Sequence, residues 1–386
     1  MVKENDAILS SGWLVTIQRS YWAYPLMIFI LSRLFLVGIG LITFATFSGD
    51  YLTVRPVPEN PLLDMWARWD SRWYVLIAEN GYSFTPGEMS SIAFFPLYPI
   101  AIRIVDTLIQ QPYLSGWLIS NLCFVACLIL CYRYILEKFQ RQTLAQLFIL
   151  YLCFVPNTFF FSAVYTESLF FLLVISCIVA VEKDHWLVAG ICGALASATR
   201  VVGVVLWVYL CLEWLRIYWR EPKTMRAWRN LFFIQLTPLG LLAYMSYLAM
   251  QFGNPLLFLE AQSQWGKKVT NPIHVLLTTL EGIFNETLYG YFAPLELFLG
   301  FICLMILPFI WKKLGWNQFI LAALMICIPL SSSVYSFNRY ALVVFPLSLT
   351  ITMMTENKKV RKYFLLGSIL FLMLTFYLFV IGVFVG

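Results

Sequence analysis

The sequence predicts an all-α, polytopic membrane helical bundle. Hydrophobic residues make up 61% of the 386 residues and charged residues only 12%. The mean hydropathy is +0.79. A soluble globular domain is about 45–50% apolar and about 25% charged. The apolar residues also fall in long runs separated by short polar loops. Length alone would suggest two or three soluble domains, but a bundle in lipid can be one unit, so residues 1–386 read as a single integral membrane domain.

The chain is polar to Arg19, and the apolar run after it is too long for the core of a cleavable leader. A spanning helix needs about 20 apolar residues. Segments 25–47, 114–132, 231–251 and 363–385 meet that length. Shorter apolar helices are expected at 144–156, 166–181, 187–200, 203–215, 295–311, 318–335 and 340–354. At about 1.5 Å rise per residue several of these cannot cross alone. Short helices are tolerated where they line a protein-enclosed cavity. The pair 187–200 and 203–215, broken at Arg200-Val201-Val202-Gly203, is such a place. Segment 92–111 carries Pro96, Pro99, Arg103 and Asp106 and is expected to be a juxtamembrane helix.

Charge sets the orientation, because cytoplasmic loops collect Lys and Arg. With the N-terminus inside, the inner loops hold the basic stretch 216–230, Arg133, Lys138, Arg141 and the group Lys358, Lys359, Arg361 and Lys362. The outer side holds fewer. About eleven spans follow, with a cytoplasmic N-terminus and an outer C-terminus. Two outer loops are then long: 48–113, with a candidate catalytic helix, and 252–294. Chemistry would face the extracytoplasmic side.

Composition also excludes. The net charge of +6 comes from basic residues in short loops, which is no nucleic-acid signal. The nine cysteines lie mostly in apolar runs, with no CxxC pair, and read as small hydrophobes. His185 and His274 are far apart and support neither a triad nor a metal site. Asn285-Glu286-Thr287 fits the glycosylation acceptor pattern, which is common by chance.

The informative residues are ionisable groups at membrane edges, which are costly to place there. The run Arg68-Trp69-Asp70-Ser71-Arg72-Trp73-Tyr74 follows the first apolar segment. If 65–79 is one helix, Trp66, Trp69, Asp70, Trp73, Tyr74 and Ile77 share a face. Asp70 is then a candidate base on an aromatic surface. Otherwise it caps the helix or pairs with Arg68 or Arg72, and the Trp residues form an interfacial belt. Glu167 opens a helix after Pro156-Asn157-Thr158. It is either a dipole-favoured cap or a cavity group that binds a sugar hydroxyl or assists the base. Arg200 and Arg339 fall near outer helix ends. Each either holds a phosphate or snorkels or forms an ion pair, for instance with Glu167. Lys267 and Lys268 are a second phosphate contact or solvated loop charges.

The ordered set of motifs resembles a known family. Trp69-Asp70-x-x-Trp73-Tyr74-x-x-Ile77-Ala78-x-x-Gly81-Tyr82 is followed by Phe94-Phe95-Pro96-Leu97-Tyr98-Pro99 and by Tyr165-Thr166-Glu167-Ser168. Then come Ala198-Thr199-Arg200-x-x-Gly203, Gln262-x-x-Trp265 and Arg339-Tyr340. Together they resemble the PIG-V family, the second mannosyltransferases of glycosylphosphatidylinositol anchor synthesis and their bacterial relatives. The eukaryotic motif has His-Phe where this chain has Trp73-Tyr74, which looks like the bacterial branch. The resemblance implies a GT-C fold and a location in a bacterial plasma membrane, or in the endoplasmic reticulum for a eukaryotic chain. It implies a polyprenyl-phosphate sugar donor, typically mannose, and a lipid or glycan acceptor. Asp70 would be the catalytic base of an inverting transfer. Trp69, Trp73, Tyr74, Glu167, Arg200, Gln262, Trp265, Lys267, Arg339 and Tyr340 would bind substrate. No cofactor is implied, and no Asp-x-Asp pair in an outer loop suggests a metal. Some relatives work with a partner subunit; these residues name none. The rival reading is a transporter or lipid flippase, which would also carry intramembrane charges. A transporter more often places them at the midplane, and no internal repeat is visible here. A third reading is an assembly subunit without catalysis of its own.

Overall fold

A computed structural model describes residues 20–51, 53–220, 222, 224–284 and 293–385. The polar stretch to Arg19 and the Asn285-Glu286-Thr287 pattern lie outside the described residues. Among the described residues the regular structure is helical throughout. The helices are α1 (Ala23–Thr46), α2 (Pro61–Asp64), α3 (Asp70–Asn80), α4 (Leu97–Ile109), α5 (Pro112–Phe139) and α6 (Gln142–Phe154). They continue with α7 (Glu167–Glu182), α8 (Trp186–Thr199), α9 (Val205–Tyr218), α10 (Met225–Ile234), α11 (Leu239–Phe252) and α12 (Leu257–Gln264). The last are α13 (Pro272–Phe284), α14 (Ala293–Leu314), α15 (Trp316–Leu330), α16 (Phe337–Leu342), α17 (Phe345–Met354) and α18 (Lys358–Ile381).

Among the described residues five helices are long and apolar enough to cross a membrane, or six when α10 and α11 count as one broken span. The apolar run expected at 231–251 bends by 41° between α10 and α11. Pro238, at the N-cap of α11, has no N–H to continue the ladder. The segment expected at 340–354 likewise divides into α16 and α17.

The apolar helix α7 forms the centre, packed against α5 and α8, with Phe170, Phe171, Val174 and Ile178 fully buried. Small residues permit close crossings nearby. A Cβ at Gly240 would lie 1.9 Å from the Ala194 carbonyl, so α11 can approach α8 only with glycine there. The terminal helix α18 packs on α1 and buries Phe376 and Phe379 with Trp66, Phe159 and Phe160.

The loop 48–113 contains α2, α3 and α4, and α4 joins α3 to the bundle. The continuous helix expected over 65–79 does not form. Trp69 takes φ 53°, which ends regular backbone before Asp70 and starts α3 there. Trp66 therefore leaves the Asp70 face and packs on Phe376, with ring centroids 5.1 Å apart. Arg68 also turns away. It bridges Asp64 at 2.8 Å and donates to the Val380 carbonyl at 3.0 Å, which ties the loop to α18. Arg55 reaches the same Asp64 oxygen at 2.7 Å.

Candidate active site

Four breaks in the chain deliver the charged residues to one place. Trp69 makes Asp70 the first residue of α3. Asn157, at φ 64°, ends the run from α6, and a 3-10 turn over Thr158–Phe161 leads to Glu167 at the start of α7. Arg200 is the extended residue after α8. The turn that follows needs Gly203, where a Cβ would lie 2.3 Å from the Ala196 carbonyl. Ser336, at φ 65°, starts the short helix α16 that carries Arg339 and Tyr340.

These residues form an alternating chain of charge. Arg339 Nη1 donates to Asp70 Oδ2 at 2.7 Å, and its Nε donates to Glu167 Oε1 at 2.8 Å. Arg200 Nη1 donates to the same Glu167 oxygen at 3.2 Å. Two carboxylates thus face two guanidiniums, which offsets the cost of burying them. The Glu167 side chain is fully buried, and its Oε2 has no partner among the described residues. Asp70 is different: its side chain is 18% exposed, and Oδ1 has no hydrogen bond among the described residues. One oxygen is held while the other is open.

Aromatic rings surround this chain. The Tyr165 hydroxyl accepts the Asp70 N–H at 3.2 Å and donates to the Arg68 carbonyl at 3.0 Å. It thereby splints the helix start. Its ring also lies 4.5 Å from the Arg339 guanidinium. The Arg200 guanidinium lies 4.5 Å over the Tyr340 ring, and Lys267 Nζ donates to the Tyr340 hydroxyl at 3.2 Å. Trp73 stacks on Phe94, and Trp265 meets both edge-on at 5.5 Å. This triangle fastens α12 and the residues after it to α3. Burial, with Asp70 and Glu167 nearby, pushes the Tyr74 phenol above its ordinary pKa, so it stays neutral.

The expected site residues do not all converge. Asp70, Glu167, Arg200, Arg339, Tyr340 and Lys267 form one connected group. Trp73, Tyr74 and Trp265 form its aromatic wall. Trp69 turns its ring onto Phe384 instead, 5.3 Å away, and its indole N–H has no partner among the described residues. Gln262 serves through its backbone carbonyl, which accepts from Trp265 and Lys267. The alternatives for Asp70, a helix cap or a pair with Arg68 or Arg72, give way to Arg339. Trp69 is the N-cap, Arg68 is engaged by Asp64, and the Asp70 ion pair among the described residues is with Arg339. Tyr165 and Phe94 are positioning residues outside the expected set, although both sit inside the motif runs. Among the described residues no group of three or more His, Cys, Asp or Glu side chains is placed to hold a metal.

A family model described as mannosyltransferase (PIG-V) matches residues 59–385. The chain is 28% identical over 184 residues to GPI alpha-1,6-mannosyltransferase 2 of Mus musculus, covering 44% of this chain and 36% of that protein. It is 25% identical over 173 residues to GPI mannosyltransferase pigv-1 of Caenorhabditis elegans, covering 38% of this chain and 25% of that one. The matches thus span about a quarter to a third of these relatives. Among solved structures, ArnT from Cupriavidus metallidurans bound to undecaprenyl phosphate superposes with a TM-score of 0.55 at 12% identity. That match covers 93% of this chain and 63% of ArnT, and it shows a shared fold.

Proposed function

The chain belongs to the mannosyltransferase (PIG-V) family, and on that premise we propose that Asp70 is the base of an inverting sugar transfer. The donor is a polyprenyl-phosphate-linked mannose or similar hexose, and the acceptor is a lipid-linked or glycan hydroxyl. The reaction runs at the extracytoplasmic face of a bundle of about eleven spans with its N-terminus in the cytoplasm. The membrane is the bacterial plasma membrane, or that of the endoplasmic reticulum for a eukaryotic chain.

The observation that carries this reading is the division of labour on Asp70. Arg339 holds Oδ2 and so orients the carboxylate, while Oδ1 stays open to accept a proton. The acceptor oxygen attacks the anomeric carbon as Asp70 takes its proton. The bond from that carbon to the phosphate oxygen breaks, and its electron pair leaves with the phosphate. A phosphate leaving group needs no proton, so one carboxylate suffices. Arg200 and Lys267, joined through Tyr340, supply positive charge for the leaving phosphate. Trp73 and Trp265 offer rings for the apolar face of a sugar.

ArnT, which shares the fold, was crystallised with undecaprenyl phosphate, and this supports a polyprenyl-phosphate donor here. The test is reconstitution in liposomes with polyprenyl-phosphate mannose and a lipid acceptor pool. Transfer that is lost in Asp70→Asn is the expected result. Transfer that survives the substitution removes Asp70 as the base. No transfer from any polyprenyl donor would favour the transporter reading.

A further inference from the structure

A cavity of about 390 Å³ lies among α6, α14, α17 and α18, with Asn338 and Ala341 of α16 closing one end. Its volume falls in the range of small-ligand sites, about 300–1,000 Å³. The walls are almost wholly apolar and include Phe148, Leu299, Ile302, Leu347, Phe364 and Phe371. Along α14 the lining runs from Leu295 to Cys303, about 12 Å at the helical rise. That length suits a stretch of hydrocarbon chain. An apolar space of this size is costly to leave empty, and water has few partners in it.

One end is polar, and its polarity has one sign. Asn157, Glu296 and Asn338 line the cavity there, and each is more than nine-tenths buried. The side-chain oxygens of Asn157 and Asn338 have no hydrogen-bond partner among the described residues. Glu296 Oε2 accepts the Asn338 N–H at 3.1 Å. No Lys, Arg or His lines the space. Asn338 spends its amide N–H on the Val385 carbonyl at 2.6 Å. The side-chain oxygens left without a partner are acceptors, and they call for a ligand that donates. A phosphate would meet the Glu296 carboxylate with no cation in the cavity lining to hold it, which disfavours phospholipid heads and polyprenyl phosphate alike.

We infer that this cavity binds a bilayer lipid with an uncharged, hydroxyl-bearing head, of the diacylglycerol kind. Its chain fills the apolar space, and its hydroxyl donates to the Asn157, Asn338 and Glu296 end. The position has a consequence for the charged site. Asn338 precedes Arg339 on α16, and Glu296 already holds the Asn338 backbone. An occupant here props the short helix that presents Arg339 and Tyr340. The inference does not rest on sugar transfer, so failure of that reaction leaves it standing.

The test uses the purified full-length chain in detergent with two photoactivatable probes, a diacylglycerol and a polyprenyl phosphate. Labelled residues are mapped by peptide mass spectrometry. The expected result is that the diacylglycerol labels lining residues of α14, α17 and α18, and the polyprenyl phosphate does not. Leu299→Trp or Ser348→Phe fills the space and should cut labelling about tenfold, the loss expected when about two buried methylenes are displaced. Leu370→Trp, on an exposed part of α18, should leave labelling unchanged. Added diacylglycerol should raise the melting temperature of the unaltered chain and not of a correctly folded filled variant. Either filling variant that folds suffices. The inference is overturned by absent labelling, by equal labelling with polyprenyl phosphate, or by undiminished labelling when the cavity is filled.

Discussion

Arg339 Nη1 lies 2.7 Å from Asp70 Oδ2, joining residues 269 positions apart in the chain. Arg339 also holds Glu167, so a single guanidinium orients the candidate base and neutralises the buried acid behind it. The planar fork serves both partners from two separate nitrogens, Nη1 and Nε.

Replacing Asp70 should abolish transfer without unfolding the bundle, because its side chain is partly exposed and carries one ion pair. A drop of about 10²–10⁴ in initial rate is expected for Asp70→Asn from the loss of general-base action. Rates in proteoliposomes, compared at equal amounts of monodisperse protein, would show it. A drop confined to KM would contradict the base role.

Arg339→Met should be among the most destabilising single changes in the chain. It leaves the Glu167 charge buried with only Arg200 beside it, a loss of about 3–5 kcal/mol. Adding Glu167→Gln removes the stranded charge and should recover part of the lost thermal stability. If Glu167→Gln worsens the single variant instead, the two residues are not coupled as the distances indicate. Arg339→Lys should fail to restore activity, since one ammonium nitrogen cannot occupy the two separate positions from which Nη1 meets Asp70 and Nε meets Glu167.

The aromatic triangle predicts a graded series at position 265. Trp265→Ala removes two ring contacts, each about 0.5–1.5 kcal/mol beyond area burial. The expected effect is a rise in KM for the sugar donor and faster proteolysis of the 252–284 segment. Trp265→Phe should retain most of both. Equal loss in Ala and Phe variants would point to the indole N–H, which is buried without a partner among the described residues, and away from stacking.

Asp64 should make the loop sensitive to acid. Burial alone would raise its pKa, but hydrogen bonds and charge from Arg68, with a further hydrogen bond from Arg55, bring it net below the ordinary value of 3.8. A depressed folded value stabilises above the unfolded pKa and is lost as pH falls through the folded one. The tie from Arg68 to Val380 should therefore hold at neutral pH and loosen only below pH 3.8. Limited proteolysis of residues 53–70 across pH would follow it. Asp64→Asn should loosen the loop at neutral pH and flatten the dependence; a loop equally resistant in both proteins at every pH would rule the tie out.

Much of the fold was legible because lipid leaves few options. Long apolar runs marked α1 closely and located α5 and α18, since a spanning helix must be apolar over a set length. However, α5 runs on past the expected end at 132 to Phe139, and α18 starts earlier, at Lys358. The bend between α10 and α11 was hidden, because apolar character continues through Pro238 while the backbone does not. At the site, Asp70, Glu167, Arg200 and Arg339 stood out one by one as ionisable groups where burial is costly. The helix drawn through Trp66 and Asp70 was wrong, because a positive φ at Trp69 is set by packing and leaves no mark in periodicity.

The residue sequence by itself determined the membrane character, the helical class, the family and the list of charged residues that had to find partners. Tertiary structure alone decided the pairing. Arg68 went to Asp64 and left Asp70 to Arg339, although Arg68 is two positions from Asp70 and Arg339 is 269 away. A carboxylate buried near several cations takes the partner whose approach its backbone permits, and that geometry exists only once α3, α7, α8 and α16 are packed together.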